Sequence, residues 1–474
     1  MQGMGCLIHF AKSCLVLLYR VGCFLLPFQT QWVANRLLRG KHGVVVCRLL
    51  TLSMDWTETD GCETFWNAVK SDFSSKRFHL RDGRMRFNHG TDPHPVCFLD
   101  VTNYYRHDDK TGLHRRIYEL LRVLLVDKDL DCRAVYCNPR TNGYQYANRL
   151  VQARFPEAPV YSDPVVFQKG DKLVLMQAAV PDGVSLSLFA EQGIAVVAVV
   201  DDVIPIQHPE MVKSNIGFIH AFRDIMANAS LVLSVSMTAV EEIKQCAKDH
   251  GYEVNSEMQY GCFYNGCDFK KPEGADLDAS EQALVDVLKG KRFVFSVGTF
   301  EPRKGYGEAI KAFELLWKQG SDVSYVIAGR VGMSTGTFVA DCKRHPEYGK
   351  HLLLAVGASD LLLSKLYEMC LFVLNCSHAE GFGIPLMEAT FYRKPILARR
   401  LPVFEEIMKD QIRYFEDSSP DVLAGHLEKA MRDVAAGVFV SADKTKISYY
   451  SWDEIGILFK TFLQNRKGSV HQCN

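Results

Sequence analysis

Two carboxylates eight residues apart stand where the sequence predicts a strand, a turn and the start of a helix. Glu380 follows the apolar run 371–374, and Glu388 lies just inside the next apolar helical segment. Gly381 and Gly383, between them, let the backbone approach a ligand closely. The N–H groups at the start of the helix suit a phosphate, and carboxylates accept hydrogen bonds from paired hydroxyls. The pattern therefore indicates a nucleotide-sugar site, and the alternative is a strand–helix loop with surface acids.

Two neighbouring cations form a second candidate group. Arg303 and Lys304 lie in a glycine-flanked loop after the apolar run 293–297. When a sugar leaves a nucleotide donor, negative charge builds up on the diphosphate, and fixed cations there favour the transition state over the ground state. Arg offers a bidentate fork and Lys a point charge, so the two could act without a metal. A solvated surface pair is the alternative for these cations alone, but Glu380 and Glu388 in register favour a donor site.

These motifs resemble those of a known family. The stretch EGFGIP at 380–385, followed by Glu388, is similar to the E-x7-E signature of retaining glycosyltransferases of family 4, in the GT-B class. The stretch SVGTFEPRKG at 296–305 resembles the "VGTLEPRKN" loop of that family, and the strand that follows also matches. The resemblance is strong from about residue 293 to 407, weaker from about 96 to 268, and absent before about residue 90.

The resemblance implies roles for the motif residues. Arg303 and Lys304 would bind the donor diphosphate, Glu388 would hold the ribose hydroxyls, and Glu380 would lie beside the transferred sugar. Because the family retains the anomeric configuration, we expect front-face departure and attack rather than a double displacement through a nucleophilic carboxylate. The leaving phosphate would help to take the acceptor proton. The predicted catalytic residues are Glu380, Arg303, Lys304 and Asp202, and the predicted donor-binding residues are Gly112, Gly298, Arg303, Lys304, Glu380, Gly381, Phe382, Gly383, Ile384 and Glu388.

The acceptor side is predicted from other strand ends. Residues 200–205 read VDDVIP, with two acids directly after an apolar run, where open α/β sheets place ligands. The family often has "HD.IP" or "YD.IP" here, and Asp201 stands where the histidine can occur, so no histidine is assigned to the acceptor. Asp202 is the candidate, with a purely structural role as the alternative. The family also has "D...R.....TGI.R" near its first strand, which implies that Gly112 and Arg115 face the interdomain cleft; a plain strand–helix unit is the alternative.

The domain boundaries follow from composition and from the alternation of apolar strands with amphipathic helices. We predict an N-terminal extension at 1–92, a Rossmann-like acceptor domain at 93–275, a Rossmann-like donor domain at 285–440, and a helix at 445–465 that crosses back to the first domain. The fold class is then α/β with the GT-B architecture. In the donor domain, Glu314 and Lys318 have the spacing of an ion pair one helical turn apart.

The first residues form the most apolar part of the chain. His9, Lys12 and Arg20 interrupt segment 4–28, so no run reaches the roughly 18 apolar residues that a membrane-spanning helix needs. Its polar side chains fall on one arc of a helix, which predicts an amphipathic helix that lies on a membrane surface or covers an apolar groove of the protein itself. Residues 40–92 lack clear periodicity and are predicted to be irregular. We expect a cytoplasmic protein, or one bound peripherally to the cytoplasmic face of the inner membrane.

The composition disfavours several other classes of protein. Lys+Arg and Asp+Glu are balanced at 55 each and the pI is about 7.2, so no overall field attracts nucleic acid. The 15 cysteines form no C-x-x-C pair. The pairs Asp127/Asp129 and Asp276/Asp278 match D-x-D, but neither leads directly from an apolar strand into a cleft-like loop, so we expect surface acids and no metal site. No strand is followed by the glycine fingerprint of a nicotinamide oxidoreductase.

The predicted function is transfer of a hexose, with retention and without a metal or other cofactor, from a nucleotide-sugar donor. The acceptor would be a glycan or lipid-linked oligosaccharide in the synthesis of a surface polysaccharide such as lipopolysaccharide. The motifs most resemble those of bacterial polysaccharide mannosyltransferases, so the first predicted donor is GDP-mannose, and a UDP-hexose such as UDP-glucose is the alternative. A non-catalytic scaffold subunit of the same fold is the other alternative, because the first 90 residues are unusual.

Overall fold

The computed structural model describes residues 85–88, 94–106, 111–138, 143–212, 214–269, 276–332 and 336–464. All of them belong to one compact unit of the chain, Ser71–Asn474. The predicted amphipathic helix at 4–28 and most of the predicted extension lie outside the described residues. Within the described ranges, no helix is both long enough and apolar enough to cross a membrane.

Seven strands of the first half of the chain form one sheet. The strands of this half are β1 (Arg86–Asn88), β2 (Cys97–Asp100), β3 (Cys132–Asn138), β4 (Gly143–Tyr146), β5 (Val166–Gln168), β6 (Lys172–Leu175), β7 (Ala195–Val199), β8 (Leu231–Ser234) and β9 (Gln259–Cys262). The sheet has the order β4-β3-β2-β6-β7-β8-β9, and only the pair β3 and β4 is antiparallel. The last four residues of β7 are all buried. Such a continuous apolar run is typical of a parallel strand covered on both faces.

The second half of the chain forms a six-stranded parallel sheet. Its strands are β10 (Phe293–Val297), β11 (Ser324–Gly329), β12 (Leu352–Val356), β13 (Val373–Asn375), β14 (Ile396–Arg399) and β15 (Arg413–Phe415). They lie in the order β12-β11-β10-β13-β14-β15, so the chain first adds strands on one side of β10 and then on the other. This is the strand order of a doubly wound nucleotide-binding fold, and its switch point lies between β10 and β13.

Helices connect most of the strands. They are α1 (Thr102–Arg106), α2 (Gly112–Leu124), α3 (Asn148–Arg154), α4 (Leu186–Glu191), α5 (Ile204–Gln207), α6 (Ile216–Asn228), α7 (Met237–Asp249), α8 (Ala279–Leu288), α9 (Tyr306–Lys318), α10 (Phe338–Arg344), α11 (Asp360–Met369), α12 (Ile384–Phe391), α13 (Pro402–Met408), α14 (Pro420–Ala435) and α15 (Trp452–Gln464). Side-chain caps fix where several of them begin. Ser236 accepts from Ala239 N at the start of α7, and Ser359 accepts from Leu362 N at the start of α11; serine is a residue type that favours this position.

The last helix, α15, returns to the first domain. The ring of Phe459 packs edge-on against Phe263 at 5.1 Å between centroids. The backbone N–H of Trp452 donates to Asp268 Oδ1 at 2.7 Å. These contacts join α15 to residues 263–268, at the end of the first domain.

One short strand lies in the segment predicted to be irregular. Strand β1 pairs in parallel with β5, with Phe87 opposite Phe167, and the ring of Phe87 lies 5.6 Å from that of Phe189. The prediction for residues 40–92 is therefore wrong at 86–88. A strand of three residues is too short to produce a period in the sequence, and its pairing with a distant strand determines it.

Candidate active site

Two loops meet at the switch point of the second sheet. One loop follows β10 and ends in the short 3-10 helix Pro302–Lys304, and the other follows β13 and carries Glu380 to the start of α12. Strands β10 and β13 are parallel neighbours, with Phe295 opposite Val373, so their carboxyl ends lie side by side. The cationic motif and the E-x7-E motif are therefore adjacent.

Glu380 is the centre of an ion-pair cluster. Its Oε1 accepts hydrogen bonds from Lys304 Nζ and, at 2.7 Å, from Ser377 Oγ, and its Oε2 lies 3.1 Å from Arg303 Nη1. Only 9% of the side chain of Glu380, and the same share of Lys304, is exposed. Arg303 also donates from Nε to Glu301 Oε2 at 3.0 Å. Two cations and two carboxylates thus balance each other at the switch point.

Burial and neighbouring charge act on Glu380 in opposite directions. Burial raises the pKa of its carboxyl, but Lys304 and Arg303 lower it more strongly, and the pKa falls from 4.5 to about 2. Burial lowers the pKa of Lys304, and the charge of Glu380 opposes that shift. The carboxylate is therefore ionised at neutral pH and acts as the counter-ion of both cations.

The end of strand β7, from the first domain, lies against this cluster. A Cβ atom at position 381 would lie 2.6 Å from the carbonyl oxygen of Asp201, so only glycine permits the approach of these two segments. Asp202 Oδ1 accepts a hydrogen bond from Ile204 N at 3.1 Å. Burial raises the pKa of Asp202 to about 6, although the charge of Arg303 opposes this shift. The predicted acceptor-side acid is thus placed beside the predicted donor site.

Asp201, which stands where the family can have a histidine, is paired with an arginine of helix α2. Its Oδ2 lies 2.9 Å from Arg116 Nη2, and the side chain of Arg116 is 1% exposed. The guanidinium also lies over the ring of Phe263, at 5.8 Å from the centroid. The sequence did not indicate this pair, because an arginine in an amphipathic helix is usually a surface residue.

Glu388, the second acid of the motif, bridges the two domains. Its Oε1 accepts from Arg115 Nη1 and its Oε2 from the hydroxyl of Tyr367, both at 2.8 Å. Beside this bridge, a Cβ atom at Gly112 would lie 2.5 Å from Cδ1 of Ile384. The start of α2 therefore touches the start of α12. Sequence reasoning did not find Tyr367, because its partner Glu388 belongs to a different helix.

The other predicted donor residues lie on the same segments. Gly298 follows β10 and borders the side chain of Lys304, and Gly383 precedes α12 with a φ of 107°. The side chain of Phe382 is directed inward: the residue is 5% exposed, and its ring lies 6.0 Å from that of Tyr264. Only the backbone of Phe382 therefore adjoins the cluster.

A further carboxylate joins the domains next to this site. Glu406, in α13, accepts hydrogen bonds from the backbone N–H groups of Met237 and Thr238, each at 2.7 Å, at the start of α7. An anion at a helix N-terminus is stabilised by the helix dipole. Ser236 Oγ donates to the carbonyl oxygen of Gly381 at 2.9 Å. The sequence could not indicate these contacts, because the partners lie more than 100 residues apart.

The two D-x-D pairs have structural partners away from the cluster. Asp278 caps α8 by accepting from Ser280 N and Glu281 N, both at 2.8 Å. Asp127 Oδ2 lies 2.8 Å from Lys460 Nζ of α15. In the part of the chain that the structure describes, no three His, Cys, Asp or Glu side chains are grouped so that they could hold a metal ion.

Comparison with known proteins identifies the second domain. Residues 282–437 match the family model described as glycosyl transferases group 1. The second half of the chain is thus similar to group 1 glycosyltransferases. The matched range includes the cationic loop and both acids of the E-x7-E motif, so the family resemblance predicted from these residues is confirmed.

Relatives extend the likeness beyond the group 1 domain. The chain is 30% identical over 350 residues to the serotype-specific mannosyltransferase WbdA of Escherichia coli, and this alignment covers 70% of the chain but only 41% of WbdA. It is 23% identical over 217 residues to the O-antigen chain mannosyltransferase RfbU of Salmonella typhimurium, and this alignment covers 45% of the chain and 55% of RfbU. The chain thus spans less than half of the length of WbdA.

The fold around the group 1 domain also has solved counterparts. The crystal structure of HepE from Anabaena, in complex with UDP and glucose, superposes with a TM-score of 0.55 at 15% identity, over 78% of this chain and 100% of HepE. Together with the two mainly parallel sheets, this likeness confirms the predicted α/β fold of the GT-B class.

Proposed function

We propose that this protein is a retaining hexosyltransferase that moves a sugar from a nucleotide-sugar donor onto a glycan acceptor in surface polysaccharide synthesis. The observation that carries the proposal is the cluster of Arg303, Lys304 and Glu380 at the switch point of the second sheet. Glu388 lies on the adjoining helix. The names of the relatives, a serotype-specific mannosyltransferase and an O-antigen chain mannosyltransferase, support the same class of reaction.

The donor diphosphate binds to the two cations. Arg303 and Lys304 are held by Glu380, and a diphosphate takes over as their counter-ion, which frees the carboxylate of Glu380 for the transferred sugar. Glu388 accepts hydrogen bonds from the ribose hydroxyls. A carboxylate has about four acceptor positions, so Glu388 can do this while it keeps its bonds from Arg115 and Tyr367.

The cations also promote the chemical step. As the anomeric bond breaks, charge accumulates on the leaving diphosphate, where fixed positive groups lower the free energy of the transition state. The side chains of Arg303 and Lys304 supply this charge, so the proposed reaction requires no metal or other cofactor. The acceptor hydroxyl attacks from the front face, and the leaving phosphate takes its proton. Asp202, beside the cluster, orients the acceptor.

The first donor that we propose is GDP-mannose, and the acceptor is a glycan or a lipid-linked oligosaccharide. The names of WbdA and RfbU support mannose as the transferred sugar. We place the reaction at the cytoplasmic face of the inner membrane, with peripheral contact through residues 4–28. A variant without residues 1–28 should no longer float with liposomes of bacterial lipids, and unchanged flotation would contradict this contact.

Donor binding tests the proposal. The melting temperature of the purified protein is measured with GDP, UDP and ADP and with their sugars, in the presence and absence of EDTA, because a ligand of the folded state raises it. We expect stabilisation by GDP and GDP-mannose that EDTA does not change. It should be lost in Lys304→Ala and kept in Lys311→Ala, an exposed lysine of the same domain. Stabilisation by UDP alone would indicate a UDP-hexose as the donor instead of GDP-mannose. If no nucleotide stabilised the protein, the result would favour a scaffold subunit.

A further inference from the structure

Tyr306 has a buried hydroxyl without a hydrogen-bond partner among the described residues. It is the first residue of α9, directly after the cationic loop, and it is 5% exposed. Its ring packs against Phe300 and Phe338, at 6.1 and 5.7 Å between centroids. A ring that only filled this space could be a phenylalanine. Because an unpaired buried hydroxyl costs stability, the hydroxyl requires an explanation of its own.

The hydroxyl and the ammonium group of Lys304 both lie next to Gly298. Gly298 has a φ of 150°, and a Cβ atom at this position would lie 3.0 Å from the Tyr306 oxygen and 3.6 Å from Lys304 Nζ. Both polar groups therefore border the same space above Gly298. Lys304 and Tyr306 are also among the residues that line a small cavity of about 10 Å³, together with Asn375 and Ser377. Since one water molecule needs roughly 10–15 Å³, the cavity admits a single water and excludes a phosphoryl group.

Glu380 is the one acceptor that Lys304 Nζ contacts among the described residues, although an ammonium group has three N–H donors. In the proposed function, on which this inference rests, a diphosphate displaces Glu380 from that bond. Lys304 is then without a protein partner that fixes its position, and its buried stem alone must hold it.

We propose that Tyr306 is a positioning residue for the donor site: its hydroxyl oxygen accepts a hydrogen bond from Lys304 Nζ, directly or through one water, when a nucleoside diphosphate binds. Burial raises the pKa of the phenol, so the hydroxyl stays neutral and does not compete with the diphosphate for the cation. The tyrosine thus holds the ammonium towards the second phosphate of the nucleotide without neutralising its charge.

The matched test compares Tyr306→Phe with Tyr414→Phe. The hydroxyl of Tyr414 donates to the carbonyl oxygens of Phe404 at 3.0 Å and Lys409 at 2.8 Å, so this control loses hydrogen bonds that are made in the structure. Dissociation constants for GDP and GMP are measured by calorimetry, or for UDP and UMP if wild-type protein binds those. Urea unfolding of each variant is followed in parallel.

For Tyr306→Phe we expect GDP to bind about 3- to 10-fold more weakly, while GMP changes less than twofold and the urea midpoint is not lowered. Tyr414→Phe should show the opposite: a lower midpoint and unchanged GDP affinity. In a Lys304→Ala background, Tyr306→Phe should have no further effect on GDP affinity. Unchanged GDP affinity, or an equal loss for GDP and GMP, would overturn the inference. Failure of wild-type protein to bind any nucleoside diphosphate would instead overturn the proposed function.

Discussion

Glu380→Gln should separate the structural role of this carboxylate from its chemical role. Glu380 is the buried counter-ion of Lys304 and Arg303. The lowering of its pKa from 4.5 to about 2 corresponds to roughly 3 kcal/mol in favour of the ionised form. Because an amide has no charge to offer the two cations, we expect the variant to lose about 3 kcal/mol of unfolding free energy at pH 7. Losses of this size are found when one partner of a buried ion pair is removed.

The loss of unfolding free energy in Glu380→Gln should become smaller as the pH falls. The pKa of Glu380 is lower in the folded protein than in the unfolded chain, so its contribution is complete above about pH 5 and disappears as the pH falls towards 2. The difference between wild-type protein and Glu380→Gln should therefore shrink to about half of its neutral value near pH 3.

Urea unfolding at pH 7 and pH 3, followed by circular dichroism, measures the loss of unfolding free energy at neutral pH and its decrease at low pH. Glu241→Gln is the control, because Glu241 forms an exposed pair with Lys244 at 2.8 Å and this variant should lose less than about 1 kcal/mol.

Sugar turnover should fall steeply in Glu380→Gln. GDP should nevertheless bind at least as tightly as to wild-type protein, since the variant lacks the competing carboxylate. A loss below about 1 kcal/mol, or weaker GDP binding, would refute the reasoning.

Three further substitutions test the surroundings of the site. Asp202→Asn should raise the unfolding free energy by about 1–2 kcal/mol at pH 8 but not at pH 4, because burial raises the pKa of Asp202 from 3.8 to about 6, so that its carboxyl costs stability progressively from about pH 4 to 6 and fully above that. An equal effect at both values would contradict this. Arg115→Gln removes the interdomain bond to Glu388, and X-ray scattering should detect a larger radius of gyration. Glu406→Gln removes the carboxylate from the start of α7 and should cost about 1–2 kcal/mol in urea unfolding, while the exposed neighbour Glu405→Gln should change less than about 0.5 kcal/mol.

Features that depend on local spacing could be predicted from the sequence. The cap at Ser236 and the strand and turn around Glu380 follow from residue types within one or two turns of the chain. Contacts between distant segments could not. The spacing of Glu314 and Lys318 predicts an ion pair, yet Glu314 Oε1 lies 2.7 Å from His345 Nε2 and that prediction is wrong. His345, which the tertiary fold brings close, pairs with Glu314 in place of Lys318. An exposed ion pair within a helix contributes only a few tenths of a kcal/mol, so it is easily replaced.

The E-x7-E segment serves the donor and the interface between the domains with the same residues. Gly381 touches Asp201, Ser236 donates to the carbonyl of Gly381, and Glu388 holds Arg115. A donor that contacts this segment must therefore change contacts that also fix the first domain. Donor binding and the geometry of the cleft are then coupled, and the coupling is reciprocal by thermodynamic necessity. A substitution that leaves every donor contact intact, such as Arg115→Gln, should for this reason still alter donor affinity.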